Sequence, residues 1–405
     1  MAINEPKAVS SEVFMFENPA CGFDVDVSHS MPGYTQTTVK VYKNDQPSKR
    51  FAFMAGRGLV RLRNSEKAEV EDILGQLLSL TDANEDIITF IRENGYLLPI
   101  VVEPGEYQEI EFDSLKKVVG RIRATVHLMS QVGSVQKDYH AIAGLILYLL
   151  FDDDIEIQGP DGSIMYRSCK HPFAEKFKGI SMLPEVDGEI EANRYGYFNI
   201  PDTIYCENYR FASDEYIDII DGGYSNNYPG ISDIRYHDIV YMYRNALAEN
   251  EEIRLAIDFL FHFMHEVCVV EDVNSEGQYL PYSSINENGF TDAMQDAALR
   301  LAKIVINEEV NSNLSGIKPY YDVGRMEPSW KAESLLSSIY FSIFYLRPGI
   351  EIYKKCANPN CGLSFLVKTT STKRKYCSPE CSNAMAQRNF RRRKKLNDTE
   401  NAPSE

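Results

Sequence analysis

The chain has 405 residues, of which 44% are hydrophobic and 25% are charged, and its formal net charge is −17. This length can bury a substantial core and predicts two or three globular domains. The overall acidity excludes a protein that binds nucleic acid through a uniformly basic surface.

Neither export nor membrane insertion is indicated by the sequence. The first residues, MAINEPKAVSSEVFMF, lack the charged start and apolar stretch of a secretory signal. The longest apolar runs, at residues 141–151 and 339–346, are shorter than the roughly 20 residues that a membrane helix needs. We therefore expect a cytoplasmic protein with no membrane partner.

The first predicted element is a small antiparallel sheet within residues 12–63. Apolar and polar residues alternate there in short runs, as in Phe23-Val25-Val27 and Phe51-Phe53, and the turn-forming strings MPGY and NDQPS separate the runs. The string Gly56-Arg57-Gly58 has too few glycines for a phosphate-binding loop, so we interpret it as a bulge.

Helical spacing follows the sheet. A pattern that starts at Ser65 and continues through Val70, Ile73 and Leu77 predicts one helix, and residues 84–94 predict a second that Gly95 ends. Further on, residues 107–112 predict a strand. Two more helices are predicted over residues 113–130 and 136–151.

The helix predicted at 136–151 is apolar nearly all round, so we expect it in the main core. The acidic residues 152–154 that follow it lack the alternating carboxylates and the glycine of a calcium loop, and we interpret them as a solvated helix end. The string GPDG then predicts a hairpin between residues 155–157 and 163–166.

The middle of the chain, residues 170–235, is rich in Gly, Pro, Asn and Tyr, and it predicts an irregular connection. Its tyrosines fit surface packing better than a ligand cleft. Four further helices are predicted, the last with Trp330 at its start: they cover residues 236–250, 251–267, 292–310 and 329–345.

A pair of histidines in the second of these helices raises the question of a zinc protease. Such a helix reads HExxH or HxxEH, whereas here Glu266 follows both His262 and His265. Because phenylalanines and leucines surround the two histidines, we interpret them as packed core residues.

Four of the eight cysteines form two close pairs near the C-terminal end of the sequence: Cys356, Cys361, Cys377 and Cys381. Short loops can turn both thiolates of a pair toward one point, and two pairs complete the tetrahedral shell of a structural zinc ion. The alternatives are four free thiols or two disulfides. The other cysteines, Cys21, Cys169, Cys206 and Cys268, have no ligand spacing and are interpreted as reduced thiols.

The residues around these cysteines predict a treble clef, in which a knuckle, a hairpin and a helix surround the ion. The hairpin would pair the alternating residues 363–367 with a return arm at 375–376. Ser378 would then cap a helix, with Pro379 in its first turn. Four thiolates leave no open coordination position, and the sequence shows no nucleophile–base pair or phosphate loop, so we expect no enzyme.

This stretch resembles the CGNR-type zinc finger. The resemblance rests on the string CANPNCG, on Phe365, on an aromatic residue before Cys377 and on Asn383 before a basic run. The family's Cys-Gly-Asn-Arg is here Cys381-Ser382-Asn383-Ala384, and its usual Trp is Tyr376. The resemblance implies a stress-responsive transcription regulator whose finger follows an N-terminal sensor.

Charge is distributed very unevenly along the chain. Residues 353–395 hold twelve Lys or Arg against one acid, a net +11, while residues 1–352 carry −25. Such asymmetry is expected of a nucleic-acid reader on an acidic carrier, although a charge run can also be a merely solvated face. The candidate contacts are Lys373, Arg374, Lys375, Arg388, Asn389, Arg391, Arg392, Arg393, Lys394 and Lys395.

Within this set, Arg388 and Asn389 are the candidate base-reading groups, and the remaining cations would grip phosphates. Ala386 and Phe390 are expected to pack back on the knuckle. No exposed aromatic residue is expected among the basic ones, which disfavours stacking on single strands. DNA is favoured over RNA by the family resemblance.

The sequence as a whole predicts an α+β protein, with a mainly helical body, an N-terminal antiparallel sheet and a C-terminal treble-clef zinc finger. We expect a DNA-binding regulator whose body senses a ligand or partner. Self-association into a homodimer would supply a second half-site. The alternative is an RNA-associated or protein-interaction module. The expected segments are a β-rich part at 1–63, helices at 64–169, a connection at 170–235, helices at 236–349, the finger at 350–395 and a disordered acidic tail at 396–405.

Overall fold

The protein is described by a computed structural model. It covers residues 14–400 except 32–33, 46, 55–57, 63–67, 82, 101, 104, 153, 160, 181–196, 207, 221–233, 247–248, 283, 325 and 371–372. Helices and small antiparallel sheets alternate along the chain, so the mixed helix and sheet class is confirmed, although strands also occur throughout the body that was predicted to be mainly helical. The fold divides into two compact units, one made of residues 1–119, 155–167 and 313–405 and the other of 120–154 and 168–312.

The described strands, in chain order, are β1 (Phe14–Asn18), β2 (Cys21–Met31), β3 (Tyr34–Lys43), β4 (Lys49–Met54), β5 (Gly58–Leu62), β6 (Ala68–Asp72), β7 (Gln108–Glu111), β8 (Glu156–Gln158), β9 (Ile164–Arg167), β10 (Tyr197–Pro201), β11 (Asn208–Ala212), β12 (Val270–Val273), β13 (Tyr279–Pro281), β14 (Ile317–Asp322), β15 (Glu327–Ala332), β16 (Glu351–Lys355) and β17 (Ser364–Lys368).

The described α-helices are α1 (Ile73–Leu77), α2 (Asn84–Asn94), α3 (Phe112–Gly133), α4 (Tyr139–Phe151), α5 (Pro172–Ile180), α6 (Ser213–Ile220), α7 (Ile234–Arg244), α8 (Glu251–His262), α9 (Asp292–Asn313), α10 (Leu335–Phe344) and α11 (Pro379–Glu400). A π-helical turn, Phe263–Val267, continues α8, and a 3₁₀ turn covers Glu287–Gly289.

The first unit is built around two antiparallel sheets, with strand orders β1-β4-β5-β6 and β2-β3-β7. Alternation along the strands sends one set of side chains into the core, where Phe16 and Phe51 are buried. Helix α10 covers the first sheet, and its Phe341 packs edge-on against Phe16 and Phe53, with ring centroids 5.4 and 5.6 Å apart. The N-terminal sheet predicted from alternation is therefore present as two sheets.

The second unit has a helical core. Helix α4 is buried on nearly every face, as its sequence predicts, and α8 contributes Phe259 and Phe261 to the same core. The ring of Phe261 stacks on Tyr243 of α7 at a centroid distance of 3.8 Å. Large aromatic and aliphatic side chains thus bring α4, α7 and α8 together.

Several predicted boundaries need correction. The helix expected from Ser65 begins only at Ile73, because β6 pairs with β5 first, and residues 63–67 lie outside the described part. Trp330 lies in strand β15 opposite Pro319 rather than at the start of a helix. In both cases the strand pairs with the strand just before it, and the spacing of apolar residues does not distinguish such a short hairpin from a helix.

The segment 170–235, predicted to be irregular, contains α5, the β10-β11 hairpin and α6 among its described residues. The bulge predicted at 56–58 falls largely outside the described residues, although Gly58 has a φ of +77°, which favours glycine. By contrast, α2 has the predicted bounds, and Gly95 follows it with a φ of +89°.

No helix among the described residues combines the length and the apolar character that crossing a bilayer requires.

Close backbone packing at Gly144 of α4 gives a first test of this core. A Cβ atom on Gly144 would lie 2.0 Å from the carbonyl oxygen of Gly277, so we expect Gly144→Ala to lower the free energy of unfolding by about 1–3 kcal/mol. Gly179→Ala in α5 is the matched control, since its Cβ would meet open space and alanine favours helix. Equilibrium denaturant unfolding measures both, and equal stabilities would contradict this packing.

Candidate metal centre and basic surface

The four paired cysteines converge on one point. Their sulfur atoms all lie within 4.8 Å of one another, with Cys361 Sγ 3.5 Å from Cys377 Sγ and Cys377 Sγ 3.6 Å from Cys381 Sγ. None of the four is joined in a disulfide. Tetrahedral zinc with Zn–S bonds of about 2.3 Å places its sulfurs about 3.8 Å apart, so these thiolates fit a zinc ion.

The first two ligands are set by a tight knuckle between β16 and β17. The Cys361 amide donates to the Asn358 carbonyl at 2.9 Å, and Gly362 completes the turn with a φ of +65°. The Asn358 side chain also donates to Cys381 Sγ at 3.5 Å. This hydrogen bond helps to lower the pKa of Cys381 to about 7, which favours the thiolate that a metal requires.

The hairpin of the finger differs from the predicted one. Strand β17 pairs with β16, where Tyr353 is opposite Leu366, and not with a return arm at 375–376. The knuckle therefore lies at the tip of the hairpin. Phe365 and Val367 of β17 are buried with Cys356, and Ile352 and Tyr376 pack against them, which gives the module a very small core.

The last two ligands lie at the start of α11. Ser378 caps this helix as predicted, since its Oγ accepts from the Cys381 amide at 3.4 Å, and Pro379 is the first helical residue. The helix ends at Glu400, inside the segment predicted as an acidic tail, and residues 401–405 lie outside the described part.

The three basic residues before the helix have different surroundings. Lys373 and Lys375 are exposed. Arg374 instead folds over the finger: its guanidinium donates to the Cys377 carbonyl at 2.7 Å and lies 5.1 Å from the centroid of the Phe365 ring. Arg374 therefore has a structural part in the finger besides any contact with a ligand.

A cavity of about 490 Å³ opens beside these residues at the start of α11. Its lining is basic and hydroxylated, and it consists of Lys373, Arg374, Lys375, Tyr376, Ser378, Pro379 and Ser382. The positive end of the helix dipole adds to the field of the three cations, so this cavity favours anionic groups.

Further along α11, Arg388, Asn389 and Arg391 are exposed, as a binding surface requires. Residues 392–395 continue the helix, and their side chains lie outside the described part. The expected packing of Ala386 and Phe390 on the knuckle is wrong: Ala386 is exposed and Phe390 is 69% exposed. Phe390 thus stands as an exposed aromatic residue among arginines, contrary to expectation, because the helix extends beyond the small core.

The finger hairpin is packed against α1 of the same unit. Gly75 permits this approach, since a Cβ there would lie 2.3 Å from the Ser364 carbonyl oxygen. The Ser364 amide donates to Ser79 Oγ at 2.5 Å, and the Tyr353 hydroxyl donates to Asp72 Oδ2 at 2.8 Å. No local pattern in the sequence predicts these contacts, because the paired residues are more than 280 positions apart.

The two histidines considered for a zinc protease, His262 and His265, pack in the second unit, as predicted. His262 is buried, and its Nδ1 lies 2.8 Å from Glu266 while its Nε2 contacts Asp202. Although burial lowers it, hydrogen bonds to these two carboxylates raise the pKa of His262 to about 9. His265 stacks on Phe261 at a centroid distance of 5.2 Å.

Four thiolates around one point, a knuckle and a basic helix define a zinc finger. Residues 353–394 match the CGNR zinc finger family, and the four cysteines form its zinc-binding cluster. The chain matches no curated protein and no solved structure.

The contact between Asp72 and Tyr353 generates a prediction on pH. Burial raises the pKa of Asp72 to about 7, so the folded protein retains a proton that the unfolded chain releases near pH 4. Stability contributed by this carboxyl is therefore lost as pH rises from about 4 to about 7. In Asp72→Asn we expect this loss, of up to about 4 kcal/mol, to be absent.

Denaturant unfolding at a series of pH values from 4 to 8 measures the effect. The amide oxygen of Asp72→Asn can still accept from Tyr353, so the variant should gain stability over the unsubstituted protein as pH rises. Tyr353→Phe is the matched control: it keeps the carboxyl but removes a donor that lowers the Asp72 pKa, and should shift the loss to higher pH. Superimposable profiles for all three proteins would contradict the assignment.

Proposed function

We propose that this protein is a DNA-binding transcription regulator that contacts DNA through its C-terminal finger. One observation carries the proposal: Arg388, Asn389 and Arg391 are exposed on a helix that begins at the zinc-binding cluster of an otherwise acidic chain. A zinc-supported helix with exposed cations is suited to a nucleic-acid groove.

Two surfaces of the finger would contact the DNA. Lys373 and Lys375, beside the cavity at the start of α11, would hold backbone phosphates. Arg388 or Asn389 would read base edges, since Arg pairs with guanine and Asn with adenine in the major groove. The cations at 391–395 would add phosphate contacts along the same helix.

The zinc ion is proposed to be structural. Four cysteine ligands fill a tetrahedral shell, so the ion would have no position for an activated water, and we propose no enzyme activity there. We also propose that the finger is a treble clef, since the knuckle and the start of α11 supply two thiolates each.

We propose that the rest of the first unit modulates how the finger binds DNA. A ligand or protein that rearranged α1 would disturb the contacts of Gly75, Ser79 and Asp72 with β16 and β17, and so change how the finger is presented. A homodimer is also proposed, because one finger with one helix gives weak specificity and a second half-site would supply the rest.

A second candidate function rests on Phe390. Its ring is 69% exposed between Arg388 and Arg391, an arrangement that would stack on an unpaired RNA base or insert into a protein partner. DNA remains the first choice because the finger resembles that of transcription regulators. Duplex DNA, duplex RNA and single-stranded RNA probes compared side by side distinguish the candidates.

The leading proposal is tested by fluorescence anisotropy with random-sequence duplex DNA over a salt series. We expect tight binding at low salt. On random-sequence DNA, binding rests on phosphate contacts for both arginines, so a double variant Arg388→Gln with Arg391→Gln should lower the slope of log K against log salt by about 2. The matched control is Arg300→Gln with Lys303→Gln, two exposed cations at the same spacing on α9, which should bind like the unsubstituted protein.

Equal slopes for both double variants, or no binding by the intact protein at low salt, would overturn the DNA proposal. Selective binding of single-stranded RNA that Phe390→Ala abolishes would establish the second candidate instead. Cys377→Ser should abolish binding of either nucleic acid, because the helix then loses its support.

The proposed coupling between α1 and the finger is tested at Gly75. Gly75→Ala introduces a Cβ 2.3 Å from the Ser364 carbonyl, so the hairpin must move, and we expect faster amide exchange in residues 351–368 together with changed DNA affinity. Gly179→Ala, in the other unit, is the control. Faster exchange with unchanged affinity would mean that the contact is structural only.

A further inference from the structure

A second cluster of metal-ligating groups lies in the second unit, far in sequence from the finger. Cys169 and His171 precede α5, and Glu308 and Glu309 lie near the end of α9. Cys169, His171 and Glu309 are 4% exposed or less, and one ligand atom from each lies within 4.8 Å of the others. Cys169 has no neighbouring cysteine, so spacing alone gave it no role.

The two ring nitrogens of His171 face different partners. Its Nδ1 lies 4.0 Å from Cys169 Sγ and 2.6 Å from Glu308 Oε2. Its Nε2 lies 2.9 Å from Glu309 Oε1, and the Arg121 guanidinium contacts the same carboxylate. The Nδ1 side of the His171 ring therefore faces a sulfur and a carboxylate oxygen. The Nε2 side faces the buried Glu309 carboxylate and its partner Arg121.

We propose that Cys169 Sγ, His171 Nδ1 and the Glu308 carboxylate form a second site for a divalent ion of the zinc type. A thiolate, an imidazole and a carboxylate are all ligands that zinc accepts. On the other side of the ring, Glu309 would accept the Nε2 proton and fix the orientation of the imidazole. Histidine ligands of zinc commonly have such a carboxylate partner.

The distances need only small adjustments to hold an ion. Ordinary zinc bond lengths at a tetrahedral angle separate the sulfur from the nitrogen by about 3.6 Å and the nitrogen from an oxygen by about 3.3 Å. The sulfur would move about 0.4 Å toward the nitrogen and the Glu308 oxygen about 0.7 Å away from it, and the Glu308 carboxylate would also swing toward the sulfur. Glu308 can make this movement because its side chain is 20% exposed.

The charges of the cluster also suit a dication. With an ion bound, the thiolate, the two carboxylates, the neutral imidazole and the Arg121 guanidinium sum to zero, so no net charge is buried. Arg121, which contacts Glu309 and not the proposed ligand face, then balances the carboxylate that orients His171.

One of the proposed ligands also borders open space. Glu308 lines a small cavity of about 40 Å³ together with Pro172, Phe173, Leu301 and Val305. Three protein ligands leave a fourth coordination position, which a water molecule would occupy. In this respect the site differs from the closed four-thiolate shell of the finger.

The proposal is tested by elemental analysis of zinc in the purified full chain after gel filtration. We expect two zinc ions per chain in the intact protein and one in both Cys169→Ser and Glu308→Gln. Cys268→Ser removes another buried thiol of the same unit and should leave two. Cys377→Ser should retain one ion, which separates this site from the finger.

Thermal unfolding of each variant checks its fold. If Cys169→Ser does not fold, the zinc content of Glu308→Gln tests the site, because Glu308 lies at the surface of the cluster. Cobalt titration of Cys377→Ser supplies a second readout, in which one equivalent should give a weak thiolate charge-transfer band that the double variant Cys377→Ser with Cys169→Ser lacks. One zinc per chain in the intact protein, unchanged in Cys169→Ser and Glu308→Gln, would overturn the proposal and leave an ion-paired network.

Discussion

The bonds between one zinc ion and four thiolates are the constraint on which the finger depends. Among the residues that the structure describes in the finger, the buried core consists of Cys356, Phe365 and Val367. Burying side chains of this size contributes about 1.5–3 kcal/mol each, which is less than the backbone entropy of ordering the knuckle and hairpin. Structural zinc supplies about 10–16 kcal/mol in small fingers. Metal binding, and not hydrophobic burial, therefore fixes α11 relative to the hairpin, and every proposed nucleic-acid contact on that helix depends on it.

The hairpin has a second support that the ion does not supply. Tyr353 and Ser364 bond to side chains of the N-terminal part of the chain, and Gly75 allows the backbones to come close. One face of the finger is thereby covered, whereas Arg388 and Arg391 stay exposed. Because burial disfavours the charged form of the Asp72 carboxyl, the stability of this region is expected to fall as pH rises toward about 7, although the Tyr353 hydroxyl still donates to the carboxylate.

Local chemistry in the sequence was sufficient where one short segment determines its own structure. The cysteine pairs, the Ser378 cap and the bounds of α2 with Gly95 are of this kind, and the structure confirms them. Predictions failed where pairing with the preceding strand decides: β17 pairs with β16 across the knuckle, and Trp330 joins a hairpin with β14. The cluster around His171 was missed for a different reason, since its side chains come from segments 137 residues apart that meet only in the fold.

The acidity of the chain does not prevent a basic finger from binding phosphate. Charges separated by more than about 8 Å are largely screened at physiological ionic strength, so a phosphate responds mainly to the side chains nearest to it. Helix α11 rises about 1.5 Å per residue, which places residues 388–395 roughly 14–24 Å beyond its first residue. The cations of α11 therefore lie well away from the hairpin. There the local density of positive charge on the helix would determine how strongly a phosphate is attracted. At low salt the screening length grows, and the net charge of −25 on residues 1–352 would then oppose contact of nucleic acid with the rest of the chain.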